Sequence, residues 1–125
     1  PNNQDTSCLV GKMNIREIIK GIQEEVAKSD LLPGRAVELL NQLSALIGNI
    51  NDFIRERDLA YSRVLLKCLD SEEKANRAKI MAETTPEYLA KREARDTKEL
   101  SLEMIRSLKY YLRAKEDEFR VSNNM

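Results

Sequence analysis

Residues 35–68, "RAVELLNQLSALIGNINDFIRERDLAYSRVLLKC", decide the fold. Ala36, Leu40, Leu43, Ile47, Ile50, Ile54, Arg57, Tyr61, Val64 and Cys68 recur by alternating steps of four and three without a break. That spacing keeps one narrow apolar line on one side of an α-helix, as in a coiled-coil seam. A strand would need a period of two and more β-branched and aromatic residues. Pro33 stands where a proline costs nothing, in the first helical turn. The stretch therefore predicts a helix over 34–69. Gly48 falls inside it at a cost of about 1 kcal/mol relative to Ala, which predicts a close helix approach or a slight kink there.

Working outward, "TTPE" at 84–87 starts a second long helix, predicted over 86–121, with Thr85 as cap, Pro86 in the first turn and Glu87 beside the positive end of the helix dipole. Between the two, Asp70 with Glu73 reads as an Asx-type capping box, and Ser71 is an equally good cap. Either opens a short helix over 71–83, while the same letters also permit one uninterrupted helix. Upstream, Asn14 with Glu17 caps a helix over 14–29 whose Ile15, Ile18, Ile19, Ile22 and Val26 share a face. Residues 1–12 are polar and aperiodic and read as a flexible arm before a single helical domain, 13–125; a first-residue Pro fits removal of an initiator Met. The expected fold is all-α: an elongated antiparallel pair of long helices with two shorter ones. Narrow seams on two long helices exceed what one short helix covers, so completion by a homo-oligomer, a dimer above all, is expected.

Composition narrows the function. The chain has 125 residues with 21 basic and 21 acidic side chains, so no overall basicity advertises nucleic acid. Dividing after Ala60 gives 7 − 9 = −2 and 14 − 12 = +2, too small an asymmetry to decide anything. The absence of histidine excludes a His-dependent triad, and Cys8 and Cys68 lack paired ligand spacing. No phosphate loop, nucleophile elbow or metal motif occurs, so neither enzyme activity nor a cofactor or metal is expected. No apolar run approaches a membrane span, and two lone thiols fit a reducing compartment, so a cytoplasmic protein is expected.

The second long helix carries the one candidate surface. At 100° per residue Ser101, Ile105, Leu108, Leu112 and Phe119 converge on one face with Met104 and Tyr111 at its edge, while Tyr110 points nearly the opposite way. One flank carries Lys91, Arg95, Lys98, Arg106, Lys109, Arg113 and Arg120; the other carries Glu93, Asp96, Glu103 and Glu118. A basic ridge with an outward tyrosine is what tracks a phosphate backbone and stacks a base. Sorted flanks also serve coiled coils in choosing a partner. Carboxylates from Glu38, Asp52, Glu56 or Asp58 facing the basic flank would favour that second use.

"AYSR" at 60–63, "SEEKANRAK" at 71–79 and above all "LEMIRSLKYYLRAKEDEFRVSNNM" at 102–125 resemble a class of small helical proteins encoded by phages and prophages of Gram-positive bacteria. Those tend to show an Arg-Ser-Leu-Lys step, a further Leu-Arg and a terminal Glu-aromatic-Arg-Ser. The resemblance covers the last half of the chain. It implies an accessory role in phage DNA replication or recombination, with single-stranded DNA or its coating proteins as partner. The competing reading is a structural or adaptor coiled coil, or a small inhibitor acting by protein contact alone.

Overall fold

The computed structural model describes the backbone of residues 3–28 and 30–124 and the side chains of 15–28 and 30–123. Four helices follow one another: α1 (Asn3–Ala27), α2 (Pro33–Ser71), α3 (Ala75–Ala82) and α4 (Pro86–Asn124). No strand occurs among the described residues. The fold is all-α, and both proline starts fall where the first-turn rule puts them.

The chain divides into two compact units. One is built from Pro1–Gly48 and Glu99–Met125, the other from Asn49–Lys98. In the first unit Ile15, Ile19 and Ile22 of α1, Ala36, Leu39 and Leu43 of α2, and Ser101, Met104 and Leu108 of α4 are buried. Leu39 lies one step off the expected seam, and Leu40 and Ile47 are half-buried, so the buried line on this part of α2 runs 36, 39, 43. Three-helix packing explains the shift: the side of α2 between α1 and α4 is wider than a two-helix seam. The α1–α2 turn is held from two directions. The Arg35 guanidinium donates to both oxygens of Glu25, at 2.5 and 2.9 Å, and to Glu38 at 2.9 Å. The Tyr111 hydroxyl of α4 donates to the Leu31 carbonyl.

In the second unit the two long helices meet in antiparallel register. Asp58 pairs with Arg95, and Tyr61, further along α2, meets Tyr88, earlier on α4, with ring centroids 5.4 Å apart. Ala78 and Ala82 give α3 a small buried face, and Ala94 and Thr97 give α4 one; such short side chains let helices approach closely.

Several local expectations are corrected. Helix α1 begins at Asn3, so its backbone covers most of the expected arm and Asn14 lies within the helix. The side chains of Cys8, Met13 and Asn14 lie outside the described residues. Helix α2 runs through Asp70 and Ser71, so neither caps α3. Instead the Ser71 hydroxyl donates back to the Cys68 carbonyl at 3.2 Å and helps to close α2, and Lys74 occupies the cap position of α3 without a side-chain bond. The break lies at 72–74. Thr85 likewise turns backward, its hydroxyl donating to the Ala82 carbonyl at 2.6 Å, while its own carbonyl accepts from the Leu89 amide. Gly48 is exposed, and a Cβ built on it would meet no heavy atom within 4 Å, so no close approach occurs there. Phe119, placed on the core face by the helical wheel, is 67% exposed. Residues 113–123 are all exposed, because α2 starts at Pro33, beside Leu112 and Phe119, and offers those last turns no further surface.

Candidate nucleic-acid interface

The basic flank of α4 divides into two sets. In the second unit Lys91 and Arg95 are engaged with neighbouring side chains. The Lys91 ammonium sits 4.5 Å from the centroid of the Tyr61 ring, a cation–π contact on a tyrosine only 7% exposed. Arg95 donates to the Asp58 carboxylate at 2.6 Å. Asp58 is one of the four acids whose position bears on the use of this flank, and it faces the flank at Arg95. Lys98 is half-buried. Lys91 and Arg95 hold α4 against its own chain more than they present charge to a ligand.

In the first unit the geometry differs. Arg106, Lys109 and Arg113 are exposed, and Tyr110, 77% exposed, stands among them. Three, four and seven residues separate them, so all four side chains share the side of α4 opposite buried Met104 and Leu108. None of the three cations makes an ion pair among the described residues. The nearest acids along the face, Glu103 and Asp117, bound the ridge at its two ends and are themselves exposed. Arg120, the last expected member, is paired with Glu116 at 2.8 Å, one turn away on the same helix. Lys115 is held between Glu118 at 3.3 Å and the Tyr111 ring at 5.8 Å. The ridge is therefore four residues long. From Arg106 to Arg113 it measures about 10 Å along the axis at 1.5 Å per residue.

The adjacent tyrosines have opposite surroundings. Tyr111 is half-buried and bonded to Leu31, whereas Tyr110 makes no ring contact or hydrogen bond among the described residues. An aromatic ring held out in water between guanidinium and ammonium groups can stack on a base while its neighbours neutralise phosphates.

Two other features have chemistry of their own. Burial raises the Tyr61 phenol above its usual value near 10, and the Glu83 carboxylate adds to that shift. A hollow between α1 and α2 is lined by Glu24, Glu25, Lys28, Asp30 and Arg35. At its centre Arg35 and Glu25 satisfy each other, and the hydrogen bond from Arg35 holds Glu25 below the usual carboxylate range. No group of three or more His, Cys, Asp or Glu side chains that could hold a metal is present among the described residues. No helix among them is long and apolar enough to cross a membrane.

No family model, no curated protein and no solved structure matches the chain.

The helical wheel separates Tyr110 from Tyr111 but does not reveal which of seven basic residues meet a neighbour. The cluster of Lys91, Tyr61 and Tyr88 went unrecognised, although a seam tyrosine facing a lysine-rich flank is a usable signal. So did the Arg35–Glu25 fork, because ten residues of chain and a turn separate its partners.

Proposed function

We propose that this chain is a non-enzymatic accessory protein of phage DNA replication or recombination. In this reading it works in the host cytoplasm and binds single-stranded DNA, bare or through the proteins that coat it, by the Arg106–Lys109–Tyr110–Arg113 ridge of α4. One observation carries the reading: three unpaired exposed cations surround a tyrosine that is 77% exposed, on the side of the helix away from the core. A flexible polyanion with unstacked bases uses both the ring and the charges around it. A ridge about 10 Å long suits two or three phosphates of a single strand and gives modest affinity alone. Phage context rests on the sequence resemblance of the last half of the chain.

The experiment is fluorescence anisotropy of a labelled single-stranded oligonucleotide at low salt. Reversal of Arg106, Lys109 and Arg113 to Glu abolishes binding while helicity is retained. If the wild type does not bind, the DNA reading fails. The second reading, an adaptor acting by protein contact, is favoured by the engagement of Arg95 with Asp58, in which the basic flank already serves a protein–protein type of contact. A triple reversal that leaves DNA binding untouched but removes a protein partner decides for it.

A further inference from the structure

The outward face of α2 in the second unit carries a charge pattern around two exposed leucines. Leu59 is 53% and Leu66 60% exposed, and Leu69, Ser62 and Asp70 are exposed beside them. Asp52, Glu56, Arg63 and Lys67 are exposed as well. At 100° per residue Asp52, Glu56, Leu59, Arg63, Leu66 and Lys67 fall within an arc of about 100°, directly away from buried Tyr61. The two acids precede Leu59 and the two bases follow it. Their positions are symmetric: 52 + 67 = 56 + 63 = 119. Arg63 and Lys67 make no ion pair among the described residues, and Asp52 is engaged only loosely, at 3.4 Å with Arg55, both side chains being more than two-thirds exposed.

We propose that this face of α2 binds a second copy of the chain, with the two α2 helices antiparallel about a two-fold axis between Leu59 and Ala60. An isologous contact requires each residue at position i to meet one at a position that gives a constant sum. A sum of 119 sets Glu56 against Arg63 and Asp52 against Lys67 of the other copy, four ion pairs in all. It brings the two copies of Leu59 together at the axis. Charge complementarity selects this register. Pairing Leu59 with Leu69 and Ser62 with Leu66 would centre the axis near 64, bring Arg63 close to its own copy and set Glu56 near the acids at 70 and 72.

The contact runs about 22 Å along the helix over 52–67. One helix pair of that length is smaller than the ~800 Å² per partner of a standard interface. The dimer is therefore a concentration-dependent one, separate from the α4 ridge and independent of DNA.

Sedimentation equilibrium of the full chain at about 0.5 mM is the test, a concentration at which a Kd near 0.1 mM leaves most chains paired. The wild type is expected to approach twice the 14.4 kDa of one chain. Glu56→Lys and Arg63→Glu, made singly, each set like charges together twice and are expected to weaken association about tenfold or more. The double variant E56K/R63E recreates every pair with its sign reversed and is expected to return to within about threefold of the wild type. Glu56 and Arg63 stand about 10 Å apart along one helix, too far for an ion pair within the chain, so rescue reports on the second copy. Far-UV circular dichroism checks that these surface variants keep their helicity. A wild type that stays at one chain's mass overturns the proposal. So do single variants that dimerise like the wild type, or a double variant that fails to recover.

Discussion

Replacing the two adjacent tyrosines one at a time separates folding from binding at neighbouring positions. Tyr111 is half-buried on α4, and its hydroxyl donates to the Leu31 carbonyl in the α1–α2 turn. Tyr111→Phe removes that bond alone, at a net cost of about 1 kcal/mol. Tyr111→Ala also removes a ring whose full burial would contribute about 3–5 kcal/mol, so half-burial brings the total to about 2.5–3.5 kcal/mol. With an unfolding entropy of about 2.1 cal/mol/K per residue over 125 residues, 1 kcal/mol shifts Tm by about 4 °C, and Tyr111→Ala lowers it by about 10–14 °C. Tyr110 is 77% exposed, so Tyr110→Ala stays within about 0.5 kcal/mol, or about 2 °C. Its effect appears in oligonucleotide affinity, which falls by about 1–3 kcal/mol where the ring stacks on a base. Thermal melts followed by circular dichroism, run beside anisotropy titrations, read both quantities. Equal Tm losses at the two positions, or a stable Tyr111→Ala variant, would falsify the assignment of core edge to one ring and ligand to the other.

Gly48→Ala raises stability by about 1 kcal/mol in a denaturant titration, since the position is helical and open space surrounds the added methyl group; a loss instead would reveal a hidden contact. Arg95→Ala removes the bond to an Asp58 carboxylate that is two-thirds covered, costs about 1–2 kcal/mol and leaves oligonucleotide binding unchanged, which anisotropy checks against Arg106→Ala. The raised phenol of Tyr61 makes stability fully present below the unfolded-state value near 10 and lost as pH climbs through the folded-state value. Tyr61→Phe therefore flattens the alkaline limb of a stability–pH curve, and an unchanged limb would assign it to other groups.

Proline starts at Pro33 and Pro86 were legible because a ring that fixes φ and lacks an N–H tolerates few helical positions besides the first turn. The isoleucine face of α1 was legible too, since Ile15, Ile19 and Ile22 repeat at helical spacing over a single side. Small polar residues misled. Ser71 and Thr85 have the letters of forward caps, yet both hydroxyls donate to the turn behind them, and sequence cannot tell these bonding directions apart. Phe119 obeys the helical wheel but has no core to enter, because where a neighbouring helix begins is a tertiary fact. The candidate site was half legible. Periodicity put Arg106, Lys109, Tyr110 and Arg113 on one side, but the engagement of Lys91 and Arg95 depends on what α2 places across from them. The exposed leucines of α2 were concealed by the strength of the seam itself, which drew attention to Tyr61 and Val64 and away from Leu59 and Leu66.

The central claim is tested most directly by the salt dependence of single-stranded oligonucleotide affinity. Neutralising about three phosphates at roughly 0.7 each predicts a log–log slope near −2, so affinity falls about 20-fold between 50 and 200 mM salt. The triple reversal of Arg106, Lys109 and Arg113 is expected to abolish that binding. A wild type that shows no affinity at 50 mM, or whose affinity ignores salt, contradicts nucleic-acid binding by the α4 ridge.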